Sequence, residues 1–263
     1  MSSAKPVRLP TVFKEKVWGT TNLAPWYPVP DRRIGEVWFE ADLPLLVKFV
    51  FTSERLSVQV HPGDAFAAKH EHCAGKTEMW HIVRADPGAQ IALGFREPVS
   101  NDRLQESALS GEIVTLLRWV NVKVGDTFFI PAGTVHAIGA GIAVCEIQQF
   151  SDITYRLYDY GRPRELHLDK ALQVVSTEPF DGQPRSLPVE CQYFHTESMT
   201  LSEPAEYTPD PDRFHILVFL SGSGSISGEP FHLGEAWLVP AGTPDFRIAP
   251  DGPVRLLRTW VPR

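Results

Sequence analysis

Short runs of aliphatic, aromatic and β-branched residues recur along the chain, separated by Gly, Pro and Asp. They are LLVKFVF (45–51), LSVQVH (56–61), MWHIVRA (79–85), QIALGF (90–95), TFFIPAG (127–133), IAVCEIQQF (142–150), ITYRLYDY (153–160) and RFHILVFL (213–220). Runs of this length bounded by turn residues predict strands. Helical periodicity is confined to two places. Ser100 is a candidate N-cap for a helix over 101–109, where Leu104, Ala108 and Leu109 are apolar. HLDKALQVV (167–175) sets Leu168, Ala171, Leu172 and Val175 on one stripe. The expected class is mainly all-β, with a few short helices.

One stretch repeats. VGDTFFIPAGTVHAI (124–138) returns as LGEAWLVPAGTPDFRI (233–248), with the glycines Gly125 and Gly234 and the prolines Pro131 and Pro240 each 109 residues apart. A Gly-acid turn, a hydrophobic strand and a Pro-Ala-Gly turn build a tight hairpin at a barrel rim. The repeat predicts two related β-barrel halves. The first copy carries His136 and the second Asp245, so one barrel is expected to bind metal and the other to be degenerate. The Pro-rich stretch 178–190 reads as the linker, which gives a metal-binding domain over 1–177 and a C-terminal barrel over 191–263 whose strands pair with N-terminal ones.

Composition narrows the classes. The 263 residues suffice for a large core, and 43% hydrophobic with 22% charged residues is ordinary for a globular protein. No apolar run reaches the ~18 residues of a membrane span, and MSSAKPVRLPTVFKEK has no signal-peptide core; a cytoplasmic protein without membrane partners is expected. Cys73, Cys145 and Cys191 are odd in number and form no CxxC, which argues against a disulfide framework. A net charge of −7 argues against nucleic-acid partners, but an anionic small molecule needs only a few local cations.

The chemistry concentrates in the first half. In Gln59-Val60-His61 the polar residues share one strand face. Lys76-Thr77-Glu78 repeats that spacing, and His136 follows the Pro-Ala-Gly turn. Singly, each is an ordinary surface or core residue. Together, two imidazoles, a carboxylate and an amide oxygen form a ligand set for one Zn²⁺ per chain with a position left open. Zinc has no redox chemistry, which suits proton transfer. Glu146, Arg156, Asp159 and Arg162 follow; the two arginines are candidates for a phosphate, because guanidinium grips its oxygens as a fork, or for surface pairs with Asp159. Trp18, Trp26, Trp38 and Trp80 read as packing residues rather than a sugar platform. Cys73, His81 and His167 are not expected among the ligands.

With these motifs in place, the sequence resembles the type I phosphomannose isomerases in their short bacterial form. The resemblance rests on VWGTTNLAPWY, IGEVWFEAD, LSVQVHPGD, GKTEMWHIV, VGDTFFIPAGTVHAI, CEIQQFSDITYRLYDYGR and RELHLDKALQVV, and beyond residue 190 on the repeat. It implies a double-stranded β-helix fold, two cupin-type jelly-roll barrels, with the helical insertion of longer members cut to about 96–118. It implies zinc on Gln59, His61, Glu78 and His136, with Arg156, Lys76 and Glu146 at the reacting sugar. Arg162 falls by spacing at a phosphate-associated position, with Ser57 a second candidate. The implied reaction interconverts mannose 6-phosphate and fructose 6-phosphate through an enediolate, with Glu146, Lys76 or a zinc-bound hydroxide as base, in a monomer or homodimer. Alternatives are an isomerase of another sugar phosphate, a non-catalytic sugar-phosphate-binding cupin, and an Fe²⁺ cupin dioxygenase, whose three-His pattern is broken by Gln59.

Overall fold

A computed structural model describes residues 4–263; the first three residues of the stretch read for a leader lie outside it. The chain opens with β1 (Val7–Arg8), β2 (Thr11–Thr20), β3 (Ile34–Phe39), β4 (Leu45–Phe51) and β5 (Val58–Val60). Helix α1 (Asp64–His70) leads into β6 (Glu78–Ala85) and β7 (Gln90–Phe95), then α2 (Asn101–Ser110) and the single turn α3 (Ile113–Leu116). Strands β8 (Leu117–Asn121), β9 (Thr127–Ile130), β10 (His136–Ile138), β11 (Ile142–Gln149) and β12 (Tyr155–Tyr158) follow, and α4 (Leu168–Val174) closes this half. The second half comprises β13 (Val189–Glu190), β14 (His195–Leu201), β15 (Ala205–Tyr207), β16 (His215–Ser221), β17 (Ser223–Ile226), β18 (Glu229–His232), β19 (Ala236–Val239), β20 (Phe246–Pro250) and β21 (Val254–Trp260).

These strands form two double-sheeted β units, as the all-β expectation required. The first pairs a sheet ordered β2-β3-β4-β11-β6-β9 with one ordered β12-β5-β10-β7-β8. The second pairs β1-β19-β16-β21-β14-β13 with β15-β20-β17-β18. N-terminal β1 thus crosses over to pair antiparallel with β19. The repeat is visible as geometry: β9 and β19 start 109 residues apart, and Gly125 and Gly234, at φ +95° and +82°, make the same left-handed turn before them.

The unbroken apolar run of β4 has a structural cause. Its odd-numbered residues Leu45, Val47, Phe49 and Phe51 join a buried cluster with Val37, Met79 and Ile147, and with Ile216, Val218, Ala236 and Leu257 of the second unit. Val50, on the other face, packs inside the first unit with Trp18, Trp80 and Ile82. Both faces are buried, so alternation disappears. Fully burying one such side chain is worth about 1.5–3 kcal/mol.

Both expected helices form. Ser100 caps α2 by accepting from the Arg103 N–H at 3.2 Å, and Gly111 ends it at φ +84°. Leu104 and Ala108 of α2 and Ala171 of α4 cover the outer face of the sheet, against Val58, Val60, Tyr155 and Leu157. Of the stretch 178–190 read as a linker, Phe180 packs over Gly94 and the Arg185 N–H donates to Thr127 O at 2.7 Å, both against the first unit, while Val189–Glu190 already form β13 of the second. Among the described residues no helix is long and apolar enough to cross a membrane.

Candidate active site

The outer cover of α2 and α4 fixes which way β5 faces. Val58 and Val60 turn out toward the helices, so Gln59 turns in. Antiparallel pairing sets Gln59 opposite both His136 of β10 and Arg156 of β12. On the facing sheet, the ladder aligns Lys48 of β4 with Glu146 of β11 and Glu146 with Trp80 of β6. These inward residues surround a cavity of about 230 Å³, whose walls include Ser57, Gln59, Lys76, Glu78, Glu146 and Arg156.

The metal-competent cluster joins this cavity through Glu78, which lines it. His61, Glu78 and His136 each offer a ligand atom, and the three atoms lie within 4.8 Å of one another. All three residues are buried, at 1% exposure or less. The His136 Nε2 is 3.4 Å from Glu78 Oε1, and His61 Nε2 is 3.6 Å from Glu78 Oε2. Each imidazole uses Nδ1 on a backbone carbonyl, Ile153 O at 2.8 Å for His61 and Thr134 O at 2.9 Å for His136. That orients both rings with Nε2 inward, as a backbone carbonyl behind a ligating histidine does in metal sites. Burial pulls the His136 pKa down to about 4, and burial with neighbouring Lys76 pulls His61 well below its usual value. Both imidazoles are therefore neutral near pH 7, the ligating form.

The donor set fits a divalent cation. His136 Nε2 and Glu78 Oε2 are buried with no hydrogen-bond partner, an arrangement costly in a closed core unless something else binds there. Lys76 reaches into the same place: its ammonium is 2.9 Å from His61 Nε2 and 2.9 Å from Glu78 Oε2. The second contact is off the angle of a hydrogen bond, so it neutralises Glu78 without satisfying it.

Glu146 is held between two ammonium groups, Lys48 at 3.3 Å and Lys76 at 3.6 Å. Burial pushes its carboxyl up, and Glu78 adds to the rise against the pull of Lys48 and Lys76. Arg156 donates to Glu165 O at 2.6 Å and keeps a buried Nε without a partner. Burial first, and then the nearby Arg164, lower its pKa.

Arg162 is placed elsewhere. Its guanidinium bonds Asp159 Oδ1 at 2.7 Å and Arg55 O at 2.8 Å, and it is absent from the cavity wall. Arg164 takes that wall instead, held by the same carboxylate through two bonds of 2.6 Å. Tyr160 and Gly161, at φ +54° and +77°, turn the chain between Arg156 and these arginines. Of the two arginines after the turn, Arg164 lines the cavity and Arg162, the one that spacing points to, stands behind it on Asp159.

Sequence reasoning also passed over Lys48 and Glu36. Both line the cavity, 3.9 Å apart, and Lys16 approaches Glu36 at 3.1 Å. Against burial, Lys48 and Lys16 hold the Glu36 carboxyl down at about 2. The available signal was a lone lysine inside the apolar run LLVKFVF. Of the tryptophans, Trp18 and Trp80 belong to both core and cavity wall, Trp26 packs in the core between the units, and Trp38 bonds Glu36. His81 faces away from the cluster and pairs with Thr127 at 2.8 Å. His167 accepts from the Arg156 N–H at 3.1 Å, a supporting contact rather than a ligand.

Known proteins resemble the chain in sequence and fold. No family model matches the chain. The mannose-6-phosphate isomerase ManA of Bacillus subtilis is 35% identical, over 94% of this chain and 96% of its own length. The mannose-6-phosphate isomerase of Streptococcus mutans is 34% identical, over 69% and 71%. The crystal structure of the mannose 6-phosphate isomerase from Bacillus subtilis superposes with a TM-score of 0.87 at 30% identity, covering 97% of this chain and 99% of that one. A Salmonella typhimurium phosphomannose isomerase variant, 17% identical, shares the fold with a TM-score of 0.77 over 99% and 100%. On identity across nearly its whole length, the chain belongs to the mannose-6-phosphate isomerase family.

Proposed function

We propose that this protein interconverts mannose 6-phosphate and fructose 6-phosphate, with Zn²⁺ held by Gln59, His61, Glu78 and His136. The observation that carries the reading is the convergence of His61, Glu78 and His136, with Glu78 on the wall of a cavity that Lys76, Glu146 and Arg156 also line. When bound, the ion would supply Lewis-acid polarisation to the sugar oxygens.

The chain's own residues do the rest. Glu146 is the favoured base: it takes the proton from C2 of the open-chain aldose and returns it to C1, the hydroxyl proton moves from O2 to O1, and the electron pair left at C2 passes through an enediolate. A carboxylate raised by burial is nearer the proton affinity this task needs than an exposed one. Lys76 and Arg156 supply fixed positive charge where negative charge grows on oxygen, most effective away from water. The phosphate gives binding energy remote from the reacting carbons. Ser57 and Arg164 are its anchors, and Arg162 acts behind them through Asp159, whose carboxylate both arginines share. Residues 1–177 form the catalytic domain in this reading, and the second barrel is its degenerate copy.

A coupled assay over several hexose 6-phosphates tests this. Mannose 6-phosphate should be turned over, a chelator should remove the activity, and added zinc should restore it. Glu78→Ala should abolish turnover; a Glu78→Ala protein as active as the wild type would refute the ligand assignment.

A further inference from the structure

The second unit preserves the strand plan of the first so closely that its residues can be matched rung by rung. Strand order β3-β4-β11-β6-β9 reappears as β13-β14-β21-β16-β19, and β5-β10-β7-β8 as β15-β20-β17-β18. In the first unit Glu78 faces Ile130 and Trp80 faces Phe128. In the second, His215 faces Val239 and Leu217 faces Trp237, and Val239 and Trp237 are the repeat partners of Ile130 and Phe128. The next rungs follow. Trp80–Glu146–Lys48 corresponds to Leu217–Arg258–Glu197. Two residues before Glu78 is Lys76, and two before His215 is Arg213. The catalytic constellation therefore has a counterpart in which Arg213, His215, Arg258 and Glu197 stand for Lys76, Glu78, Glu146 and Lys48.

That counterpart also has a cavity, bounded by Arg213, His215, Arg258 and Trp260 together with Thr208 and Asp210. Its chemistry is inverted. Where the first unit presents the carboxylates of Glu78 and Glu146 to a cation, the second presents an imidazole and a guanidinium. Glu197 holds Arg258 at 2.5 Å and Asp210 holds Arg213 at 2.7 Å, as Asp159 holds Arg164 in the first unit. Arg258 keeps a buried Nε with no acceptor. It also donates to the Tyr207 hydroxyl at 3.3 Å, which lies 2.6 Å from His215 Nδ1. With the hydroxyl proton given to Nδ1, His215 carries its own proton on Nε2 and is a donor. Two oriented guanidinium forks and an imidazole N–H are the donor set that oxyanions recruit.

We propose that this cavity of the second barrel is a non-catalytic site for a phosphate-type oxyanion, free or carried on a small metabolite. It rests on the rung-by-rung match and does not depend on the catalytic reading of the first cavity. Calorimetric titration of the whole protein with inorganic phosphate tests it. The wild type should bind two equivalents per chain. Arg258→Gln and, independently, the partly exposed Arg213→Gln should each weaken one equivalent at least tenfold while isomerase turnover persists. Arg164→Gln should weaken the other. A single wild-type equivalent that Arg164→Gln removes, or two equivalents untouched by Arg213→Gln, would overturn the proposal. An equivalent lost in Arg213→Gln but kept in Arg164→Gln would uphold it even if the first cavity proved not to take phosphate.

Discussion

Lys48 shows what one side chain can carry. It is the only charge in a strand buried on both faces, and its ammonium is shared between Glu146 at 3.3 Å and Glu36 at 3.9 Å. Removing it leaves two buried carboxylates short of a counter-charge, which costs more than the pair itself contributes. Lys48→Met should therefore lower stability by about 3–5 kcal/mol, the usual penalty for an orphaned buried charge. The double variant Lys48→Met/Glu36→Gln should regain part of it, because one uncompensated charge goes as well. Urea unfolding of the three proteins checks this; a double variant no more stable than Lys48→Met would show that Glu36 and Lys48 are not coupled. At this scale the sequence was legible where chemistry follows a two-residue period. Gln59 with His61 and Lys76 with Glu78 announce themselves because strand alternation sends both members of each pair to one face. Lys48 and Glu36 have no such signature, since they interrupt hydrophobic runs singly and acquire meaning only when the ladder sets them beside Glu146.

Secondary elements were legible where a local signal sufficed. The α2 helix has a serine cap, a left-handed glycine stop and an apolar stripe, and it forms with those features in place. By contrast α1, DAFAAKH, has no stripe long enough to register; it is held by tertiary contact, with Phe66 packed against the Tyr155 ring. The turn after β12 was illegible for another reason: it contains two successive left-handed residues, Arg164 beyond it lines the cavity and Arg162 does not, and residue spacing carries no record of that. The caps of α2 give a graded prediction. Ser100→Ala loses one hydrogen bond to an end N–H and should cost about 1 kcal/mol. Gly111→Ala should cost more, because the residue is at φ +84° and a Cβ there would lie 2.7 Å from the Tyr158 hydroxyl oxygen. Thermal unfolding of both variants should rank them in that order, and the reverse ranking would mean that Tyr158 swings away freely.

The whole molecule is two copies of one plan sharing a core, and the repeat at 124–138 and 233–248 foretold that plan. It did not foretell how the copies adhere, because their common core draws alternate residues from strands at opposite ends of the chain, such as Val37 of β3 and Leu257 of β21. His81 reports on that junction. It lies on the face of β6 that Met79 contributes to the shared core, 3% exposed, opposite Cys145 and bonded to Thr127. Burial first, then Arg255 from the second unit, pull its pKa to about 4, with Asp126 opposing. An unfolded histidine titrates near 6.5. Between those values the unfolded chain binds a proton that the folded one refuses, so stability must fall as pH drops from about 6.5 towards 4 and is complete above that window. The full span is worth at most about 3 kcal/mol for this group. His81→Gln can keep the bond to Thr127 but cannot titrate. Its urea midpoint should therefore fall less than that of the wild type between pH 7 and pH 4.5, while the two proteins remain close at pH 7. Parallel pH profiles would mean that His81 takes up its proton in the folded state and that the junction between the units admits water.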